Sequence, residues 1–224
     1  LVRGWMGPIH SGRSGTCIQD ILRLCFEQKH GRDGNRRTRW AIISNTYPGL
    51  KSTTINTYLD WFGPIQNIKY DSPIVSTLEV NDVWIEIFFL SLDKEADIRK
   101  LKSLELTGVF MNEATELPKA VLDMATGRVG RFPAKRDGGS TRSCVILDTN
   151  PPDDDHWWYK VFEEDTPDGF QVFKQPPALL RLKGGSDYVY LPNPDAENIR
   201  NLDGGYTYYL RQIPGKAQGW IDVF

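Results

Sequence analysis

Short unbroken apolar runs alternate along this chain with stretches in which apolar residues recur every third or fourth position, a pattern that predicts strands interleaved with helices. Trp40-Ala-Ile-Ile43, Gly108-Val-Phe-Met111 and Cys144-Val-Ile-Leu147 read as strands buried on both faces. Val83 to Leu92, rich in β-branched and aromatic residues, is the strongest strand candidate, and Leu1 to Arg3 read as the end of another. Helical spacing runs through Ser14 to Phe26 by way of Cys17, Ile18, Ile21, Leu22, Leu24 and Cys25. Further helices are expected over Thr53 to Phe62, over Lys94 to Leu101 with Asp93 as its cap, from near Pro118, and over Asp155 to Glu163. This order gives an α/β fold, a mainly parallel sheet sandwiched by helices. The basic, glycine-containing segments 29–39 and 127–140 read as loops, the second of them mobile. From about Pro176 the regular pattern gives way to Pro, Gly, Asn and Tyr, so residues 1–175 are expected to form the core and 176–224 a small second subdomain.

Composition narrows the class. With 224 residues, 40% hydrophobic and 25% charged, the chain can bury the core of one large domain, and no apolar run is long enough to cross a bilayer. A net charge of -2 argues against a general basic footprint for nucleic acid, so any such contact has to come from local patches. Cys17, Cys25 and Cys144 lack metal-ligand spacing and read as buried, reduced thiols. The first residues have none of the features of a signal peptide and begin as if already inside a strand, which reads as a fragment without its natural N-terminus.

The candidate chemistry lies at strand ends. Gly7-Pro-Ile-His-Ser-Gly-Arg-Ser14 fits the phosphate-loop spacing G-x-x-x-x-G-K-[ST] except that Arg13 stands in the lysine position. Gly7 and Gly12 allow backbone amides to curl around phosphate oxygens, and Ser14 offers a hydroxyl to Mg²⁺. Arg13 keeps the charge but spreads it over a planar fork, and His10 crowds the loop. Alone, this stretch reads equally well as a glycine-rich turn opening a helix. A second strand end brings Asn112 and Glu113: a carboxylate here can orient and deprotonate an attacking water, while Asn112 occupies the place of the usual magnesium-shell Asp, so metal affinity is expected to lean on Ser14, phosphate oxygens and waters. A third end brings Asp148, Thr149 and Asn150 before Pro151-Pro152, where a hydrogen-bond change can report the γ phosphate. Two other clusters carry less. Asp153-Asp-Asp-His156 reads as a helix approach rather than a metal site, and Lys29, Arg32, Arg36, Arg37 and Arg39 read as a solvated loop at least as well as a grip on DNA phosphates.

Residues 1–164 resemble the ATPase domain of the large terminase subunit of tailed bacteriophages, the motor that pumps DNA into capsids. The resemblance rests on Gly7-Pro-x-x-Ser-Gly-x-Ser14, Trp40-Ala-Ile-Ile-Ser-Asn-Thr-Tyr-Pro-Gly-Leu50 with Thr53, Thr54 and Trp61, Gly108-Val-Phe-Met-Asn-Glu-Ala114, and Leu147-Asp-Thr-Asn-Pro-Pro-Asp-Asp-Asp-His-Trp157. Asn193 to Ile199 with Gly205 and Tyr206 resembles the stretch that links this domain to a nuclease. Arg13 departs from the family pattern, as does Ser44, where related sequences usually carry Arg.

The resemblance implies a P-loop NTPase fold of the additional-strand type with a lid/linker subdomain, and ATP and Mg²⁺ as ligands. It assigns Gly7, Pro8, Ser11, Gly12, Arg13 and Ser14 to phosphate, Ser14 and, through water, Asn112 to Mg²⁺, Glu113 to catalysis, and Asp148, Thr149 and Asn150 to coupling. A cation acting on a neighbouring subunit is expected from among Lys102, Arg99, Arg128 and Arg131. Implied partners are double-stranded DNA, the portal protein, the small terminase subunit and further copies in a ring, expected to be a pentamer, at the procapsid portal in the host cytoplasm, with no membrane involved. The family's nuclease domain is expected beyond residue 224, and no nuclease activity is expected of this fragment. The alternatives are a catalytically weakened P-loop domain that docks DNA or portal, and a helicase-like ATPase, which shares the core chemistry but lacks the Asn-Thr-Tyr-Pro and Asn-Pro-Pro-Asp stretches.

Overall fold

The computed structural model describes residues 1–7, 12–92, 95–176, 179–184 and 187–195. In chain order the strands are β1 (Val2–Met6), β2 (Arg36–Ser44), β3 (Gln66–Lys69), β4 (Ile74–Val80), β5 (Val83–Ser91), β6 (Gly108–Met111), β7 (Cys144–Thr149), β8 (Phe170–Lys174), β9 (Leu179–Gly184) and β10 (Asp187–Pro192). The first eight form one sheet in the order β3-β4-β5-β2-β6-β7-β1-β8. All pairings from β5 across to β8 are parallel, and β3 and β4 add an antiparallel edge. β7 lies between β1, which leads into the phosphate loop, and β6, which ends at Asn112 and Glu113. That interposed strand is the mark of the additional-strand P-loop fold expected from the sequence.

Each central strand feeds two cores, because successive side chains leave opposite faces of a sheet. Trp40, Ile42, Phe110, Cys144 and Ile146 point to one core, where they meet Cys17, Ile18, Ile21, Leu24 and Cys25 of the Arg13–Phe26 helix and Ile55, Tyr58 and Phe62 of the Ile55–Phe62 helix. Ala41, Ile43, Val109, Met111, Val145 and Leu147 point to the other, packed on Ile98 and Leu101, on Val121, Leu122 and Ala125, and on Trp158. This two-sided burial is why these strands are apolar throughout. Gly108 lets the fully buried Trp40 lie flat across β6, since a Cβ there would fall 2.3 Å from its ring.

Several elements differ from the sequence reading. β2 begins at Arg36 rather than Trp40 because its charged residues pair across the sheet. Arg36 forks onto Asp82 with two bonds of 2.7 Å, and Arg39 pairs with Glu86, its register partner on β5. The segment 127–140 is tied to the start of β6 by Arg131 N–H donating to Leu106 O at 3.0 Å and Thr107 Oγ1 donating to Phe132 O at 2.9 Å. The expected helix over 155–163 is a single turn, Trp157–Tyr159, continued by a wider π-type turn, Lys160–Glu164. The regular part of the 53–62 helix starts at Ile55, after a similar wide turn at Leu50–Thr54. β3, β4 and β8 had no counterpart in the reading from sequence. Beyond the core, β9 and β10 form an antiparallel hairpin, and most of the expected 176–224 subdomain lies outside the described residues, as does Asp93.

Candidate functional site

The parallel strands β1, β6 and β7 deliver their C-terminal ends to one edge of the sheet, the edge at which open α/β sheets bind ligands. β1 gives way to the loop at Gly7, whose N–H donates to Thr149 O at 3.3 Å and so prolongs the pairing with β7. Gly12 then adopts φ 75°, the left-handed region that favours glycine, and hands the chain to the Arg13–Phe26 helix. The unpaired amides and positive end of that fourteen-residue helix face the loop. Pro8 and Ser11, with His10 between them, lie outside the described residues.

The three sequence-predicted strand ends are joined by hydrogen bonds between their own candidate residues. Arg13 Nη1 donates to Gly7 O, to Thr149 O at 2.7 Å and to Asn150 Oδ1 at 2.8 Å. Ser14 Oγ donates to Asp148 Oδ2 at 2.5 Å, and the other oxygen of that carboxylate accepts from Glu113 N at 2.7 Å. Asp148 is fully buried, and burial pushes its pKa up against the opposing effects of the Ser14 bond, the Glu113 amide and the Arg13 charge. The sequence reading had placed no carboxylate beside Ser14. No local window of sequence could have found it, because the contact depends on β7 lying beside β1 in the sheet.

Glu113 is half-buried with φ 50° and ψ 56°, a left-handed backbone that costs a non-glycine residue about 1–2 kcal/mol. This conformation turns the chain sharply at the end of β6. Its carboxyl pKa is raised, by burial first and then by the neighbouring Glu116 and Asp148 charges, with Arg13 opposing. A carboxylate of raised basicity, partly withdrawn from water beside a phosphate loop, suits a general base. Behind it, Thr115 Oγ1 and Thr149 Oγ1 lie 2.7 Å apart, and His156 Nε2 reaches Thr115 O at 3.0 Å. His156 Nδ1 accepts from Trp158 N at 3.1 Å, which assigns the proton to Nε2 and makes His156 a cap. Among the described residues no cluster of three His, Cys, Asp or Glu side chains could hold a metal ion.

The candidate cations Lys102, Arg99, Arg128 and Arg131 are absent from this cluster of bonds. Arg128 and Arg131 flank the backbone that pairs with Leu106 and Thr107, just before β6, and so sit at the opposite edge of the sheet from Glu113. Lys102 and Arg99 are exposed on the Glu95–Lys102 helix, which leads to that same edge. A cavity of about 320 Å³ lined by Arg32, Asn35, Arg37 and Phe132 is also at that end and shares no residue with the strand-end site. In the basic segment, Arg36 and Arg37 pair with Asp82 and Asp33, and Arg39 stacks over Phe132 at 4.2 Å. All three cysteines are free and buried, and burial pushes the thiols of Cys25 and Cys144 up to about 12 and about 11.

Residues 5–214 match the family described as terminase large subunit, T4likevirus-type, N-terminal. The chain belongs to the terminase large subunit family. Solved large terminases share its fold. The large terminase of a thermophilic bacteriophage, in complex with ADP, is 14% identical with a TM-score of 0.57, over 77% of this chain and 39% of that one. The same terminase in complex with ATP-gamma-S gives 12% identity and a TM-score of 0.55, over 77% and 38%. This terminase chain therefore spans less than two-fifths of those relatives. The intermembrane lipid transfer protein vps13A of Dictyostelium discoideum aligns at 23% identity over 160 residues, 68% of this chain but 4% of that protein, too small a part to carry a functional argument. No helix among the described residues is long and apolar enough to cross a membrane.

Proposed function

We propose that this chain is the ATPase part of a phage DNA-packaging motor, hydrolysing ATP to move double-stranded DNA into a procapsid. The observation that carries the reading is the Ser14–Asp148–Glu113 linkage, which joins the phosphate loop to a carboxylate of raised basicity through two short hydrogen bonds. The nucleotides bound to the thermophilic phage terminase support ATP as the substrate. Residues 1–175 form the catalytic core in this reading, and 176–224 the lid and linker.

In the proposed mechanism, amides from Gly7 to Ser14 and the Arg13 guanidinium receive the phosphates, with Pro8 and Ser11 shaping the loop. Mg²⁺, when bound, neutralises charge on the β and γ oxygens. The Ser14 hydroxyl and, through water, Asn112 would hold that ion, a reading supported by the bond from Ser14 to a fully buried carboxylate. Glu113 holds the attacking water and takes its proton as the water oxygen bonds to the γ phosphorus and the bond from that phosphorus to the β,γ-bridging oxygen breaks, ADP leaving with the bonding electron pair. In receiving the phosphates Arg13 exchanges its bonds to Thr149 and Asn150 for phosphate oxygens, a change that Asp148, Thr149 and Asn150 pass to the sheet. A cation from a neighbouring copy, drawn from Lys102, Arg99, Arg128 and Arg131, completes the charge stabilisation in a ring, a role worth ~10³–10⁵ in rate in other NTPases. Portal protein, small terminase subunit and a pentameric ring in the host cytoplasm belong to the same proposal.

Glu113→Gln tests the core of it. The expected result is a loss of turnover of ~10²–10⁴-fold with Mg-ATP binding retained; undiminished hydrolysis would falsify the assignment. A second reading, a docking domain with a weakened nucleotide site, is favoured by the three bonds that occupy Arg13. It predicts no calorimetric binding at millimolar Mg-ATP.

A further inference from the structure

Resting on the ATPase reading above, we propose that Asp148, not any residue at the end of β6, supplies the carboxylate of the magnesium site. In P-loop NTPases the loop hydroxyl and a strand-end Asp share the metal shell. Here the strand that ends in the catalytic candidate presents Asn112, whose amide carries no charge to offer a divalent cation. Topology provides the replacement. β7 is adjacent to β1, the strand that feeds the loop, and the two run parallel, so their ends reach the same edge. Asp148 is the register partner of Trp5 on β1, and its Oδ2 accepts from Ser14 Oγ at 2.5 Å. The hydroxyl expected on the cation and a carboxylate are therefore already in contact.

The environment of Asp148 fits that role better than a purely structural one. Its side chain is fully buried, the hydrogen bonds it accepts from Ser14 Oγ and Glu113 N come from neutral donors, and the Arg13 charge opposes the cost of burial without removing it. An anion withdrawn from water is costly until a cation compensates it. The Mg²⁺ that accompanies the phosphates brings that compensation, binding as it commonly does through one or two carboxylates, phosphate oxygens and waters. Because Oδ1 holds the Glu113 amide, the same carboxylate also fixes the backbone of the general base relative to the metal shell. Thr149 and Asn150, which contact Thr115 and Arg13, remain as the residues that carry the coupling.

The test measures metal binding, not turnover. Mn²⁺ is titrated into the whole chain saturated with ADP and followed by electron paramagnetic resonance, and ADP affinity in EDTA is measured separately by calorimetry. Asp148→Asn is expected to weaken Mn²⁺ binding by ~10–100-fold while metal-free ADP affinity stays within about twofold. Asn112→Asp, which leaves Asp148 in place and keeps the assignment testable should the first variant not fold, is expected to raise Mn²⁺ affinity by less than about tenfold, since a group that meets the ion through water adds charge but no direct ligand. Wild-type Mn²⁺ affinity in Asp148→Asn overturns the proposal. So does a ~10-fold or greater gain in Asn112→Asp, because it means the carboxylate was missing. Failure of the unmodified chain to bind ADP with or without metal removes the ATPase reading itself, a result distinct from either.

Discussion

Arg13 Nη1 lies 2.8 Å from Asn150 Oδ1 and 2.7 Å from Thr149 O, so the cation of the phosphate loop is hydrogen-bonded to the end of β7. A nucleotide phosphate has to draw the guanidinium away from neutral acceptors, all of which it meets through the single nitrogen Nη1, and a lysine would offer them a compact, more strongly hydrated ammonium instead. Arg13→Lys and Asn150→Ala are therefore expected to be non-additive in Mg-ATP binding, with a coupling energy of about 0.5–3 kcal/mol. A calorimetric double-mutant cycle checks it; strict additivity would mean that the two side chains act separately.

The left-handed backbone of Glu113 bears on stability as well as on activity. Glu113→Gly removes the strain of a side chain at φ 50° but adds freedom to the unfolded chain. The folded protein should lose no stability and gain up to about 1 kcal/mol, while turnover is lost. Urea unfolding followed beside an ATPase assay separates the two effects.

Gly108 leaves no room for a methyl group against Trp40, and the three nearest ring atoms would all lie within 2.8 Å of it. Gly108→Ala should cost at least about 1–3 kcal/mol through overpacking between β6 and β2. Trp40→Leu in the same background should recover part of that loss. A fall in the urea midpoint for the single variant and its partial return in the double is the expected result.

Arg36 holds the Asp82 carboxyl down to about 2, with His30 as a lesser contributor. Because the folded-state pKa is lower than that of the unfolded chain, this pair's contribution is present above about pH 4 and is lost as pH falls toward 2. Asp82→Asn should therefore unfold more readily than the unmodified chain near pH 6 and no more readily near pH 2. Midpoints of thermal unfolding recorded across that range test the sign.

Much of this was legible in the sequence because burial on both faces leaves an unbroken apolar run. Trp40 to Ile43, Gly108 to Met111 and Cys144 to Leu147 declared themselves in that way, and the last two end in polar residues that form the site. The charged start of β2 was read as loop because the partners of Arg36 and Arg39 lie more than forty residues away, on the far side of a hairpin that composition does not reveal. β8, with mixed exposure at the sheet edge, carries too little apolar contrast to register. At the site, spacing identified Ser14 and Asp148 separately, but their contact depends on strand order, a property of the sheet and not of any local window.

The positions of the basic candidates have a geometric consequence. Arg128 and Arg131 stand at the edge of the sheet opposite Glu113, so a cation there can reach another copy's nucleotide only if unlike edges meet. A head-to-tail contact, in which every subunit gives at one face and receives at the other, closes only as a cyclic assembly with a fixed sense of rotation. The proposed ring would take its sense of rotation from the separation, within one subunit, between the basic candidates and Glu113.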